Sequence, residues 1–424
     1  MQTYASTDKT TLSEEYKKLS DAYAAFKAQG LSLNMARGKP GSEQLNISND
    51  MLTVLTPDTC FKTDDCPDSR NYGNLDGLNM AKKLFGDILG VDQKNVFVGG
   101  NSSLNMMFDT IACLMEQGCG DKPWNQQGTI KFLCPAPGYD RHFGVTAYFG
   151  IENITVPMTE NGPDMDIVEK LVAEDASIKG IWCVPKYSNP QGITYSDETV
   201  RRLAALKPVA KDFRIIWDNA YIIHDINGTP DQLLNIFDVI KGTENEDMVL
   251  EFCSTSKITF PGAGVAAMAA SENNLALLKK RYQFQTIGYD KLNMLRHVLY
   301  FKDLDGVLAH MQKHRAVLEP RFKMVTDTLE QELAGLGIAH WTNPNGGYFV
   351  SIDVMDGCAK RVVSLCKEAG VVLTGAGATY PYGKDPKDSN IRLAPTYPPV
   401  EELEKAMAIF CICVKMAAIE QLTK

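Results

Sequence analysis

Lys257 stands just beyond an apolar run, Met248 to Cys253, in the segment Ser254-Thr255-Ser256-Lys257, with Phe260-Pro261-Gly262 following. A lysine amine attacks a carbonyl carbon only when uncharged, and burial or a neighbouring cation depresses its pKa toward that form. A lysine at a strand end is in isolation usually a solvated cation; here Ser254 and Ser256 flank it with hydroxyls able to donate to a phosphate. A second run, Ile215-Ile216-Trp217, ends directly in Asp218, with Asn219 and Tyr221 beyond it. A carboxylate in that place can keep a pyridine nitrogen protonated, which is what lets such a ring drain electrons from a carbanion. Asp218 could equally cap a helix, and Tyr221 could donate to a phenolate oxygen or pack in the core.

Val184 to Gly192 carries Asn189-Pro190, which by itself marks only a turn. Val98-Gly99-Gly100-Asn101-Ser102-Ser103 runs from an apolar strand through glycines into a helical pattern. Such a junction offers free N–H groups and the positive end of a helix dipole to an anion. A nucleotide is the competing ligand, but the chain has no Gly-x-x-x-x-Gly-Lys-Ser/Thr and no Gly-x-Gly-x-x-Gly in a βαβ setting.

These segments need a scaffold that brings them together. Runs rich in β-branched residues (Asn95 to Val98, Ile130 to Cys134, Ile154 to Pro157, Ile178 to Val184, Arg214 to Trp217, Met248 to Cys253, Gly264 to Ala269) alternate with helical patterns. The alternation predicts an α/β fold whose large domain holds a mostly parallel sheet of about seven strands sandwiched by helices. Ligands of such sheets sit beyond the carboxyl ends of the strands, where each chemical segment falls. Near Pro320 a helical pattern over Phe322 to Leu336 leads to a strand at Tyr348 to Ile352 and ends in a helix over Val400 to Gln421, a smaller α+β domain. The expected organisation is an N-terminal segment, 1–60, packed on the small domain or a partner subunit, a large cofactor domain, 61–318, and a small domain, 319–424.

A chain of 424 residues with formal charge −9 and no basic stripe does not suit nucleic acid. Its 11 cysteines are odd in number and scattered, which fits a reduced, cytoplasmic setting, with Cys411 and Cys413 reading as helix packing residues. No metal-ligand set is apparent, and no uninterrupted apolar run approaches the roughly 20 residues of a membrane span.

The ordered segments resemble the fold type I pyridoxal-phosphate-dependent aminotransferases of class I/II over nearly the whole chain. The resemblance rests on Gly38-Lys39-Pro40, Tyr72 five residues before Gly77, Asn101 to Ser103, Pro137-Gly138-Tyr139, Asn189-Pro190-Gln191-Gly192, Asp218 to Tyr221, Ser254 to Lys257, and Arg392 within Asn390-Ile391-Arg392-Leu393. It implies that Lys257 carries pyridoxal 5′-phosphate as a Schiff base and moves the proton between substrate Cα and the cofactor. It implies further that Asp218 pairs with the ring nitrogen, Asn189 and Tyr221 hold the phenolate oxygen, and Tyr139 stacks on the ring. Asn101, Ser102, Ser103, Ser254 and Ser256 would bind the phosphate, helped by Tyr72 of a second subunit in a homodimer with shared active sites. Arg392 would hold the substrate α-carboxylate by a bidentate fork, with the Gly38 N–H beside it.

Met35 to Pro40 and Ser256 to Phe260 look most like a divergent bacterial branch of aspartate aminotransferases. That implies L-aspartate and 2-oxoglutarate as substrates and a second cation for the distal carboxylate, with Arg37 the candidate and Lys39 and Arg141 nearby. Alanine or aromatic transamination and C–S β-elimination are the alternatives on this scaffold, and an aminotransferase-like regulator or sensor is the non-enzyme one. Family members carry a phosphate-binding Arg about eight residues after the lysine; here the stretch reads Gly262-Ala263-Gly264-Val265-Ala266, so a pocket of mainly neutral donors is expected. Asn219, where an acidic or small residue is common, is expected to matter little.

Overall fold

The computed structural model describes residues 3–120 and 122–424. Its central sheet is built from β1 (Val96–Val98), β2 (Lys131–Ala136), β3 (Glu152–Thr159), β4 (Gly162–Pro163), β5 (Ile178–Cys183), β6 (Arg214–Asp218), β7 (Val249–Ser254) and β8 (Ala266–Ala270). The order across the sheet is β1-β8-β7-β6-β5-β2-β3-β4. The five strands from β7 to β3 run parallel, while β8 is antiparallel to both its neighbours and β4 is antiparallel to β3. All seven expected strands are present, and the two-residue β4 adds an eighth. Every residue of β5 and β6 is buried. Helices cover both faces of these strands, which is why their sequences are continuously apolar rather than alternating. Ile216 and Trp182 face one layer, with Leu275 and Tyr282; Ile215 and Trp217 face the other, with Val200 and Leu203.

The helices that matter for the site are α1 (Lys9–Lys27), α2 (Ser103–Glu116), α3 (Asp140–Tyr148), α4 (Leu304–Leu333), α5 (Ala359–Glu368) and α6 (Val400–Thr423). The smaller sheet is antiparallel, with β10 (Val350–Val354) between β9 (Ala339–Trp341) and β11 (Asn390–Leu393). Its core joins Leu12, Leu19 and Tyr23 of α1 to Val362 and Cys366 of α5, and to Phe410, Cys411 and Cys413 of α6. Helix α6 is long and apolar enough by composition to cross a membrane, but most of its apolar window is buried in this core.

The pattern expected to begin at Phe322 is part of a longer element, for α4 starts at Leu304 and runs through Pro320. Proline removes one backbone donor and strains the preceding turn. Tertiary contacts offset this: Leu318, Arg321 and Phe322 are buried around it, and Arg321 donates to the Thr396 carbonyl at 2.6 Å and ion-pairs with Glu43 at 2.7 Å. No break in secondary structure therefore marks the expected boundary at 318/319.

Phe410 is fully buried in the smaller core. Phe410→Ala should cost about 3–5 kcal/mol, read as a lower urea midpoint, whereas Lys405→Ala on the exposed face of α6 should stay within about 0.5 kcal/mol of the parent.

Candidate active site

The ends of β5, β6 and β7 and the amino ends of α2 and α3 open into one cavity of about 480 Å³. Its lining includes Arg37, Gly38, Ser102, Ser103, Tyr139, Asn189, Asp218, Tyr221, Ser254, Ser256, Lys257 and Arg392. Of the residues given a cofactor or substrate role from sequence, Asn101 and Tyr72 lie outside it, as does the further cation Lys39, whose amine sits 4.1 Å over the Tyr397 ring. Asn101 is exposed and lines a neighbouring cleft of about 390 Å³, where its carbonyl accepts from the Ser256 hydroxyl at 3.4 Å. The helix itself begins at Ser103. Tyr72 is 82 % exposed and is not part of the cavity lining.

Lys257 ends a single 3-10 turn directly after β7. Its amine lies 4.8 Å from the Tyr221 ring centre and 5.8 Å from that of Tyr348. Burial lowers its pKa, and the Asp218 carboxylate only partly opposes this. The shift favours the uncharged, nucleophilic form of the amine relative to a solvated lysine.

Asp218 ends β6 fully buried. One oxygen, Oδ2, is 2.9 Å from His142 Nε2, while Oδ1 has no hydrogen-bond partner. His142 is itself fixed by stacking on Trp182, with ring centres 4.4 Å apart and 8° between planes. It escaped the sequence reading; its only signal is a place three residues after Tyr139, one turn along α3. Tyr139 packs edge-on to His142 at 4.9 Å, and burial pushes its phenol up to about 12.

Arg392, on β11, donates to Asn189 Oδ1 at 3.1 Å and to Thr374 Oγ1 at 3.2 Å, and its Nη1 is 3.4 Å from Asp140 Oδ1. Its Nε is buried without a partner, and its guanidinium lies 4.7 Å over the Phe349 ring. With its carbonyl oxygen engaged by Arg392, Asn189 is left to donate through its NH2. Gly38 is dictated by Phe349, because a Cβ there would lie 2.3 Å from the ring. Thr374, Phe349 and Asp140 were also not singled out beforehand, since no local spacing ties them to the lysine.

Ser102 occupies the cap position of α2 but makes no capping bond, so the first-turn N–H groups stay free beside the cavity. Ser254 and Ser256 share a 3.1 Å hydrogen bond. The cation nearest the arginine-free stretch is Arg296, which lines the neighbouring cleft and reaches the Ala263 carbonyl at 3.5 Å. Arg37 and Arg141 line the cavity exposed, with no ion pair among the described residues. No group of three or more potential metal ligands occurs among the described residues.

A carboxylate and a buried lysine of lowered pKa share this cavity with the cap of α2 and a buried guanidinium, an arrangement that suits an aminotransferase. Residues 7–424 match the family model described as aspartate amino-transferase, and the chain belongs to that family. It is 46 % identical to an aspartate aminotransferase of Corynebacterium glutamicum over 397 residues, 93 % of this chain and 91 % of the relative. A crystal structure of a C. glutamicum aspartate transaminase superposes with a TM-score of 0.95 at 43 % identity, covering 99 % of each chain. The fold extends to a Pyrococcus horikoshii kynurenine aminotransferase crystallised with PMP, at a TM-score of 0.75 and 21 % identity over 91 % of each chain.

His142→Phe preserves stacking on Trp182 but leaves both Asp218 oxygens unpaired. It should lower stability by about 1–3 kcal/mol or more, measured by denaturant unfolding at neutral pH.

Proposed function

We propose that this aminotransferase exchanges amino groups between L-aspartate and 2-oxoglutarate, with pyridoxal 5′-phosphate held on Lys257. The observation that carries the cofactor reading is Asp218 Oδ1, a buried carboxylate oxygen without a partner on the cavity wall that also holds the Lys257 amine. A protonated ring nitrogen is the donor that this oxygen lacks, and His142 fixes the other oxygen so that the carboxylate keeps its orientation. The free N–H groups at the start of α2, with Ser102, Ser103, Ser254 and Ser256, suit a phosphate. Asn189 and Tyr221 supply donors for a phenolate oxygen, and Tyr139 offers a ring face. When bound, the cofactor supplies an electron sink for the carbanion left at the substrate Cα.

Every other task belongs to the chain. Arg392, oriented by Asn189 and Thr374, holds the α-carboxylate shared by both substrates. Lys257 Nζ, its pKa lowered by burial, accepts the proton from Cα and returns it. The rings of Tyr139, Tyr221 and Phe349 on the cavity wall would limit water at that carbon. Arg37 and Arg141 are the free cations placed for a distal carboxylate, which favours dicarboxylic substrates, as does the name of the C. glutamicum relative.

The working unit on this reading is a homodimer. Tyr72, Phe284 and Ile287 are exposed, and the backbones that carry them meet where Gly73 abuts Gly288. A second copy covering this face would bring Tyr72 to the phosphate of the partner site.

Borohydride reduction with pyridoxal 5′-phosphate bound should label Lys257 alone, and Lys257→Ala should lose the label and about 10²- to 10⁴-fold in turnover. Label on another lysine would overturn the assignment. Initial rates with aspartate and 2-oxoglutarate should follow parallel double-reciprocal lines, since both substrates use one site in turn.

Arg37→Ala and Arg141→Ala separate the two cations. The true distal ligand, when removed, should raise KM for aspartate and glutamate by about 10- to 100-fold, a charged hydrogen bond's worth, and leave alanine little affected. Equal losses across all three amino acids would exclude the residue tested.

A further inference from the structure

The backbone that carries Lys257 has an unusual accounting problem, and buried groups with no part in the chemistry above resolve it. The 3-10 turn ends at Lys257, and four residues beyond it comes Pro261, which has no N–H. Proline therefore cannot serve the Lys257 carbonyl as the fourth residue on, nor the Ile258 carbonyl as the third. Buried carbonyls must find donors elsewhere.

They find them on two separate elements, and a residue of a third holds the side chains of the turn. The Tyr348 hydroxyl, next to β10, donates to Lys257 O at 3.3 Å and accepts from Gln44 Nε2 at 3.0 Å. His310 Nε2, on α4, donates to Ile258 O at 2.9 Å, while its Nδ1 lies 3.3 Å from the Tyr300 hydroxyl. His297 holds the turn's side chains: its Nδ1 donates to Asn293 O at 2.8 Å, so its Nε2 is the acceptor for Thr255 Oγ1 at 3.1 Å and Thr259 Oγ1 at 3.0 Å. Tyr348, His297 and His310 are all buried. Behind His310 stands His314, with the two Nε2 atoms 3.2 Å apart and Gln44 on the far ring nitrogen at 3.3 Å.

The bonds of His297 and His310 are met by neutral rings, each with one ring nitrogen donating to a carbonyl and the other facing a hydroxyl, so neither ring needs to add a charge beside the Lys257 turn. Burial supports this by lowering the pKa values of His297, His310 and His314. A core needing only volume here would be filled by leucine; three histidines and a tyrosine each bonded to the 255–259 segment or its supports are a clamp.

We propose that His310, together with Tyr348 and His297, is a positioning set for Lys257: hydrogen bonds to residues 255–259 fix the turn that aims the amine into the cavity. None of the three lines that cavity. They act through the lysine, and since His310 sits on the helix that runs on into the smaller core, the lysine is tied to the orientation of that helix.

The proposal rests on the transaminase reading and is tested with full-length His310→Leu, His310→Gln and Tyr348→Phe. The readouts are kcat and KM for aspartate, and the time course with which added pyridoxal 5′-phosphate becomes fixed to Lys257, trapped by borohydride and peptide mapping. His310→Leu should lower kcat and the capture rate by about 10- to 100-fold, the penalty of a misplaced reacting group, with KM changed far less. His310→Gln, which keeps a donor near Ile258 O, should recover most of both. A folded His310→Leu protein within about twofold of the parent in kcat and capture, or a glutamine variant no better than leucine, would overturn the clamp. Should His310→Leu not fold, Tyr348→Phe, which subtracts a single oxygen, decides: capture slowed supports the proposal and capture unchanged overturns it. A parent enzyme that captures the cofactor on Lys257 but transfers no amino group would refute the transaminase reading and leave the capture test standing.

Discussion

The rest of the site depends on keeping one amine out of water. An ammonium group moved into a protein interior loses several kcal/mol of hydration, so burial draws the Lys257 pKa down. That shift is kept only if nearby charge does not cancel it. Asp218 is the carboxylate close enough to do so, and its Oδ2 is engaged by His142. The rings of Tyr221 and Tyr348 complete the surroundings without introducing an ion. The same requirement explains why the groups supporting the lysine's backbone are a phenol and neutral imidazoles rather than arginines or lysines.

Polar groups elsewhere around the cavity are deliberately under-satisfied. Native proteins rarely leave buried polar atoms unpaired, yet Asp218 Oδ1 and Arg392 Nε are unpaired on the two sides of the cavity, and the cap of α2 makes no side-chain bond. Each is a negative or positive demand with its partner missing, and together they describe the complementary molecule: cationic at one ring atom, anionic at a phosphate and at a carboxylate. Rigidity comes from groups already matched. Asn189 and Thr374 aim Arg392, and Trp182 holds His142, so the unmet demands point in fixed directions.

Much of this was legible in the sequence because parallel strands buried on both faces read as unbroken apolar runs, and because function then sits just after each run. Lys257, Asp218 and Asn189 follow such runs and all line the one cavity. What was not legible depends on contacts between distant segments. His142 is recognisable only once Asp218 is known to face it, and Thr374 and Phe349 only once β11 is seen to place Arg392 beside them. Asn101 lines the neighbouring cleft instead, because a glycine turn fixes where a helix begins but not which cavity the residue before it borders. Pro320 is locally a helix breaker, and only the buried Leu318, Arg321 and Phe322 around it make an unbroken α4 favourable. Arg37 and Arg141 lie where the matched segments suggested, at the cavity wall.

Helices α1 and α6 share one core, though hundreds of residues separate them. Twelve residues of α6 are buried there, among them Leu403, Phe410 and Ile419. During synthesis α1 therefore emerges long before the surface it is made to cover, and the large sheet can assemble while the smaller core is still open. Contacts of such long sequence separation form slowly and leave apolar surface exposed in the interval. The nascent chain thus carries, until its residues beyond 400 are made, a half that cannot close, a period in which chaperone binding and aggregation compete for the same uncovered face of α1.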